Sequence, residues 1–288
     1  MTKSDLPVPN LFLIGAQKGG STTLSRHLSQ HPDIRFFSRK EPNLFSADTV
    51  DECKTRLRAA KQKTGDQTYH LDGSVDYTRY PLRAHVPNNI ATLCDPQAVK
   101  FIYILRNPFD RAVSEYYWKR ERYGEYVPIE EALLDNSQYV LTSSYDIQIE
   151  RFFGTFDRSQ FLFVKFDDYY ADPNAGFAPV CDFLGLAPIA IDNPDRAWGK
   201  TDKVETKEPR FKALNRFLYN NNAVRDVIKA AMPDRMLRRT TAFLSKPVPR
   251  QDEPEGMRER MLSGVFADSI ARTETLTGLD LSDWKVAA

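Results

Sequence analysis

The residues with the most chemistry in the least sequence lie between Gly15 and Thr23, where the chain reads GAQKGGSTT. Glycines let a backbone curl closely enough around an oxyanion for its N–H groups to point inward, and a lysine supplies balancing charge. Hydroxyls at a helix start can cap the helix or bind the same anion. Such a turn needs a strand to deliver it and a helix to receive it. The apolar run Leu11–Ile14 provides the first, and the segment opened by Ser21, Thr22 and Thr23 provides the second. The spacing differs from the Walker A loop, G-x-x-x-x-G-K-[ST], whose lysine directly precedes a magnesium-holding hydroxyl. Gly15 and Gly20 keep the glycine interval, but Ser21 stands at the lysine position and Lys18 lies upstream. A P-loop kinase is thereby disfavoured.

A second constellation runs KFIYILRNPFDRAVSEYY from Lys100 to Tyr117. An apolar β-run ends at Arg106, Pro108 suits the first turn of a helix, and Ser114 falls about two turns into it. A guanidinium from the strand end and a hydroxyl from the helix can then meet on one phosphate. The ordinary alternatives are an ion-paired or capping Arg106, and a Ser114 bonded back to its own helix. Between the two constellations, the β-rich run Ile34–Phe37 leads into SRKEPNLF. Glu41 in that segment can take a proton from a hydroxyl at the strand ends, or can simply pair with Lys40 or Arg39 at the surface.

The order strand, x-x-x-K-G-G-S/T, helix resembles the 5′-phosphosulfate loop of sulfotransferases that use 3′-phosphoadenosine 5′-phosphosulfate (PAPS), most closely the heparan sulfate type. The pattern R-[ND]-P-x-x-R-x-x-S-x-[YF], about ninety residues further on, resembles the same family's 3′-phosphate segment. K-E-P-x-x-F resembles its catalytic-glutamate segment, and Tyr69–Tyr77 its third strand and acceptor loop, often E-K/S-T/S-P-x-Y. Two positions depart from that pattern: Asn43 stands where the family often has His, and Gly73 where the heparan type frequently has a second lysine. The resemblance implies PAPS as co-substrate, with Lys18, Gly19, Gly20, Ser21, Thr22 and Thr23 on the 5′-phosphosulfate and Arg106 and Ser114 on the 3′-phosphate. It implies Lys18 and Glu41 as catalytic residues and no metal. The acceptor it favours is a glycan or glycolipid; a small alcohol, phenol or lipid, or a non-catalytic nucleotide-binding protein, are the other readings. Lys200, in a basic stretch, is a further candidate for the 3′-phosphate. Asp72 and Asp76 can bind acceptor hydroxyls or serve the turn.

The whole chain has 288 residues, 41% hydrophobic and 27% charged, with a formal net charge of +1. No global field favours nucleic acid, so an anion site has to be local. Three widely separated cysteines (Cys53, Cys94, Cys181) show no zinc spacing and fit a reducing compartment. The first residues lack an apolar run of signal or membrane-spanning length, so a cytoplasmic protein without a transmembrane segment is expected if Met1 is the natural start. Strand-like runs near residues 11, 34, 70, 100 and 161 alternate with helices. This predicts an α/β fold: a three-layer parallel sheet with a P-loop-like nucleotide site, a helical carboxyl-terminal part and a single domain over residues 1–288. Helices are expected at about Asp48–Lys63, Pro81–Cys94, Pro209–Tyr219, Ala223–Met232 and Glu255–Thr277. A proline-bearing loop should surround Pro247 and Pro249, and Leu279–Trp284 should dock on the core.

Overall fold

The computed structural model describes residues 6–62, 65–123, 127–135, 137–194, 196, 205–211, 245–249 and 253–285. Five strands, β1 (Leu11–Gly15), β2 (Ile34–Phe36), β3 (Tyr69–Asp72), β4 (Lys100–Leu105) and β5 (Phe161–Lys165), form a parallel sheet in the order β2-β3-β1-β4-β5. Every residue of β1 is buried, and so is all of β4 after Lys100. A parallel strand covered on both faces has this unbroken apolar character.

Alternate residues feed two separate cores. Phe12, Ile14, Phe101 and Tyr103 pack with Val86 and Ile90 of α3 (Val86–Leu93), Phe109 of α4 (Pro108–Tyr123), Ile149 and Phe152 of α7 (Tyr145–Phe153) and Ile270 near the carboxyl end. Leu11, Leu13, Ile102 and Ile104 pack on the other face with Leu24 and Leu28 of α1 (Ser21–Leu28) and Phe177, Val180 and Leu184 of α9 (Pro173–Leu184). The three-layer expectation is met. Stacked rings tie the strands laterally, with Phe101 5.4 Å from Phe12 and 4.7 Å from Phe161.

Shorter helices fill the connections: α2 (Val50–Ala59), α5 (Ile129–Asp135), α6 (Ser137–Ser143) and α8 (Phe166–Ala171). Local chemistry sets several boundaries. Thr49 caps α2 by accepting from Glu52 N–H, and Asp172 caps α9 by accepting from Asn174 and Ala175 N–H, with Pro173 at the first turn. From β1 the chain moves to β2 and β3 on one side and later to β4 and β5 on the other. The strand order therefore reverses between β1 and β4, the place where open α/β sheets hold ligands outside their carboxyl ends.

The carboxyl-terminal part departs from expectation in detail. Residues 205–209 and 245–249 form an antiparallel pair, β6 (Glu205–Pro209) and β7 (Ser245–Pro249), where a basic stretch leading to a helix at about Pro209 and a proline-bearing loop were expected. Prolines argue against a central strand, but a two-stranded ribbon consists only of edges and tolerates them. The last helix is not continuous: α10 (Met257–Arg260) passes through a π-turn at Met261–Val265 before α11 (Ala267–Thr277). Gly278, at φ 73°, ends α11, and Leu281 and Trp284 are buried in the core as expected. Helix α3 begins only at Val86, and α2 stops at Ala59. Lys200 and residues 212–244, where two further helices were expected, lie outside the described residues. No described helix is long and apolar enough to cross a membrane.

Candidate functional site

The first turn is folded onto the neighbouring strand. Ala16 N–H donates to Ile104 C=O at 2.7 Å, and Gly19 N–H to Ala16 C=O at 3.0 Å. Gly20 sits at φ +87°, and a Cβ there would come within 2.8 Å of both Phe166 and Tyr170, so only glycine fits. Ser21 and Thr23 are buried and Thr22 half-buried; no side chain caps α1, whose Thr23 and Leu24 N–H groups donate back to Gly20 C=O at 3.0 and 3.3 Å, leaving the N–H groups of Ser21 and Thr22 outside the helix's own hydrogen bonding. The half-buried Lys18 adopts a left-handed backbone at φ +66°. Burial, and then the charge of Arg106, pull its ammonium below the usual lysine range. An anion in the turn would relieve both effects.

The second turn meets the first. Arg106 Nη1 donates to Lys18 C=O at 3.3 Å, and the guanidinium lies over the Phe166 ring at 5.1 Å. Its backbone is held from behind by Tyr145, whose hydroxyl accepts from Arg106 N–H at 3.3 Å and donates to Arg106 C=O at 2.7 Å. Asn107 Oδ1 accepts from Phe109 N–H and Asp110 N–H, and Pro108 opens α4. Ser114 is half-buried on that helix. Among the described residues its hydroxyl has no hydrogen-bond partner, so the back-bonded alternative is not realised.

Glu41 arrives from the other side of β1. Its N–H donates to Gly73 C=O at 3.1 Å, and its Oε2 accepts from Val75 N–H at 3.1 Å. Oε1 is ion-paired with Lys40. The surface pairing considered from sequence therefore exists, together with a second anchor on the β3 loop. Lys18, Glu41 and Asn43 are three of the four described non-glycine residues with positive φ. Each such conformation costs of order 1–3 kcal/mol, and strain of this kind gathers at functional sites. At Gly73 an added Cβ would meet Phe36 at 3.5 Å and Lys40 Cγ at 4.0 Å, ordinary contacts, so the missing side chain leaves room beside Lys40.

Of the two readings open for Asp72 and Asp76, acceptor contact or service to the turn, the contacts seen are structural ones. Asp72 is fully buried beneath the loop, accepting from Ser74 and Tyr77 hydroxyls, while Asp76 is paired with Arg79 at 2.9 Å and Arg83 at 2.6 Å. Sequence reasoning also passed over residues that hold the site. Arg111, wholly buried, donates to Gln17 C=O at 3.4 Å, to Ser143 Oγ at 2.6 Å, to Tyr139 C=O at 3.0 Å and to Glu115 at 2.9 Å. Its presence in the R-N-P-x-x-R pattern was the available signal. Tyr170, on α8, donates to Gly20 C=O at 3.0 Å.

The arrangement offers a glycine-bearing turn with a lysine, a guanidinium folded against that turn, and a carboxylate held on the β3 loop. The profile of the sulfotransferase domain family matches residues 8–217. The chain belongs to the sulfotransferase domain family. This sulfotransferase chain is 28% identical over 196 residues to human heparan sulfate glucosamine 3-O-sulfotransferase 6, covering 64% of this chain and 54% of that protein. It is 27% identical over 197 residues to human heparan sulfate glucosamine 3-O-sulfotransferase 3B1, covering 64% and 48%. It thus spans about half the length of the curated relatives it matches. A sulfotransferase structure from Alicyclobacillus acidocaldarius superposes over 96% of this chain and 99% of its own, with a TM-score of 0.66 and 22% identity, a likeness of fold.

Proposed function

We propose that this sulfotransferase moves a sulfuryl group from PAPS to a hydroxyl or amine of a glycan or glycolipid acceptor. The observation that supports the reading is the 3.3 Å bond between Arg106 and the Lys18 carbonyl, because it joins the two strand-to-helix turns at the switch point of the sheet. A nucleotide phosphorylated at both its 3′ and 5′ positions is the class of ligand that such adjacent turns suit. In this reading Gly19, Gly20, Ser21, Thr22 and Thr23 hold the 5′-phosphosulfate with backbone N–H and hydroxyl donors, and Arg106 and Ser114 hold the 3′-phosphate. The glycan acceptor is supported by the curated relatives, whose names specify heparan sulfate glucosamine.

Glu41 removes the proton of the attacking acceptor group as the new bond to sulfur forms. Lys18 and the first-turn N–H groups stabilise the negative charge that builds on the 5′-phosphate oxygen as its bond to sulfur breaks. Lys40, already paired with Glu41, keeps the carboxylate oriented. The test separates binding from turnover. Glu41→Gln should bind 3′-phosphoadenosine 5′-phosphate (PAP) within about twofold of wild type, while kcat falls by about 10²–10⁴. Equal loss of both would remove Glu41 from the role.

A further inference from the structure

The stretch that carries Glu41, residues 41–47, contains no helix or strand, so something outside it must fix its path. Two of its N–H groups are held by side-chain hydroxyls: Asn43 N–H donates to Ser74 Oγ at 3.0 Å, and Phe45 N–H to Tyr77 Oη at 3.2 Å. Both hydroxyls in turn donate to one carboxylate, Ser74 to Asp72 Oδ1 at 2.5 Å and Tyr77 to Asp72 Oδ2 at 2.7 Å. Asp72 and Ser74 are fully buried and Tyr77 is 1% exposed, so water cannot take over any of these bonds.

A hydroxyl has one proton. In its ionised form Asp72 accepts both protons, so the remaining lone pairs of Ser74 and Tyr77 face the loop and are available to its amides. The carboxylate thus fixes the polarity of two relays that end two and four residues beyond Glu41. Asn89 adds a third hold, donating to Phe45 C=O at 3.1 Å and Ala47 C=O at 2.9 Å, but it acts downstream of Glu41 and independently of Asp72.

We propose that Asp72 is the positioning residue for Glu41, holding the loop through Ser74 and Tyr77 so that the carboxylate stays at the angle proton removal requires. This rests on the reading of Glu41 as the base. An amide at position 72 has one accepting oxygen and a donating nitrogen, so it can receive only one of the two hydroxyls. The other hydroxyl must turn its proton toward a backbone N–H, and that anchor is lost. A misplacement of about 1 Å can cost a reaction about 10²-fold.

The experiment compares Asp72→Asn, Glu41→Gln and the double variant in the full chain. PAP formation from PAPS is followed with desulfated heparan sulfate as acceptor, and with water alone should that glycan not be sulfated. PAP affinity and amide exchange are measured alongside. Asp72→Asn should lower kcat by about 10- to 100-fold, leave the KM for PAPS and the Kd for PAP within about twofold, and raise exchange at Asn43 and Phe45 by about 2- to 10-fold, the factor for one lost hydrogen bond. In the Glu41→Gln background it should lower kcat no further, because two residues that act as one do not add. Full activity of Asp72→Asn, an additive loss in the double variant, or unchanged exchange at both amides would overturn the proposal. Full activity of Glu41→Gln would instead overturn the assignment of the base. Should Asp72→Asn fail to fold, Ser74→Ala and Tyr77→Phe each remove one relay, and each should lower kcat at unchanged PAP affinity.

Discussion

Arg106 permits the sharpest test of the nucleotide assignment, because the structure separates its two duties. One N–H is committed to the Lys18 carbonyl at 3.3 Å and one face to Phe166, which leaves the rest of the guanidinium's donors for a ligand. Replacing Arg106 by Ala removes both duties. Loss of the Lys18 bond loosens the first turn and should weaken any 5′-phosphorylated nucleotide by about 0.5–1.5 kcal/mol. Loss of a charge-assisted contact to a 3′-phosphate should cost a further 1.5–3 kcal/mol or so, roughly 10- to 150-fold in Kd, and only for a ligand that carries that group. Calorimetry with PAP and with adenosine 5′-phosphate, on wild type and Arg106→Ala, isolates the second quantity as the difference of differences. Arg106→Lys should recover only part of it, since an ammonium neither forks nor stacks as a guanidinium does. If Arg106→Ala weakens both nucleotides by the same factor, Arg106 braces the turn and does not read the 3′ position.

Three further outcomes follow from burial and backbone geometry. Burial, opposed by the Ser74 and Tyr77 hydrogen bonds and assisted by the charge of Glu41, pushes the Asp72 carboxyl from 3.8 up to about 7; Cys94 and Tyr77 are the other titratable groups that feel it. Between about pH 4 and 7 the folded chain keeps a proton that the unfolded chain has released, so stability falls as pH rises. Relative to Asp72→Asn, wild type should lose about 1.4 kcal/mol per pH unit, about 4 kcal/mol in total, and a flat difference in denaturant titrations would contradict this. Gly20→Ala must adopt a left-handed conformation and push against Phe166 and Tyr170 at 2.8 Å; PAP binding should fall by at least tenfold in calorimetry, with about 1–2 kcal/mol or more of lost stability. Glu115→Ala leaves the buried Arg111 guanidinium without its carboxylate and should cost about 3–5 kcal/mol in urea melts, whereas replacing Arg111 and Glu115 together by Met and Leu should cost much less.

Both strand-to-helix turns were legible in sequence because each is a local pattern, with apolar run, glycine or proline, and polar head within some twenty residues. Their meeting was implied by the family resemblance, since alternating strands and helices give a parallel sheet without fixing that β1 and β4 are neighbours. The hold on Glu41 did not. It depends on β2 lying beside β3, a register that no short pattern encodes, and Asp72 reads equally well as a turn residue or a ligand-binding one until its burial is known. Gly264 and the π-turn around it left the amphipathic pattern of residues 255–277 intact, so a single helix was the natural reading. At β6 and β7, prolines concealed a ribbon that has no interior strand for them to disrupt.

Trp284 lies 6.2 Å from Tyr145 in ring-to-ring distance, and Tyr145 grips the backbone of Arg106 at both its N–H and its C=O. The family match ends at residue 217, so a boundary drawn there would discard the indole that backs this corner. Shortened versions made for crystallisation or display need to retain the tail through Trp284, because the indole backs the ring that holds Arg106.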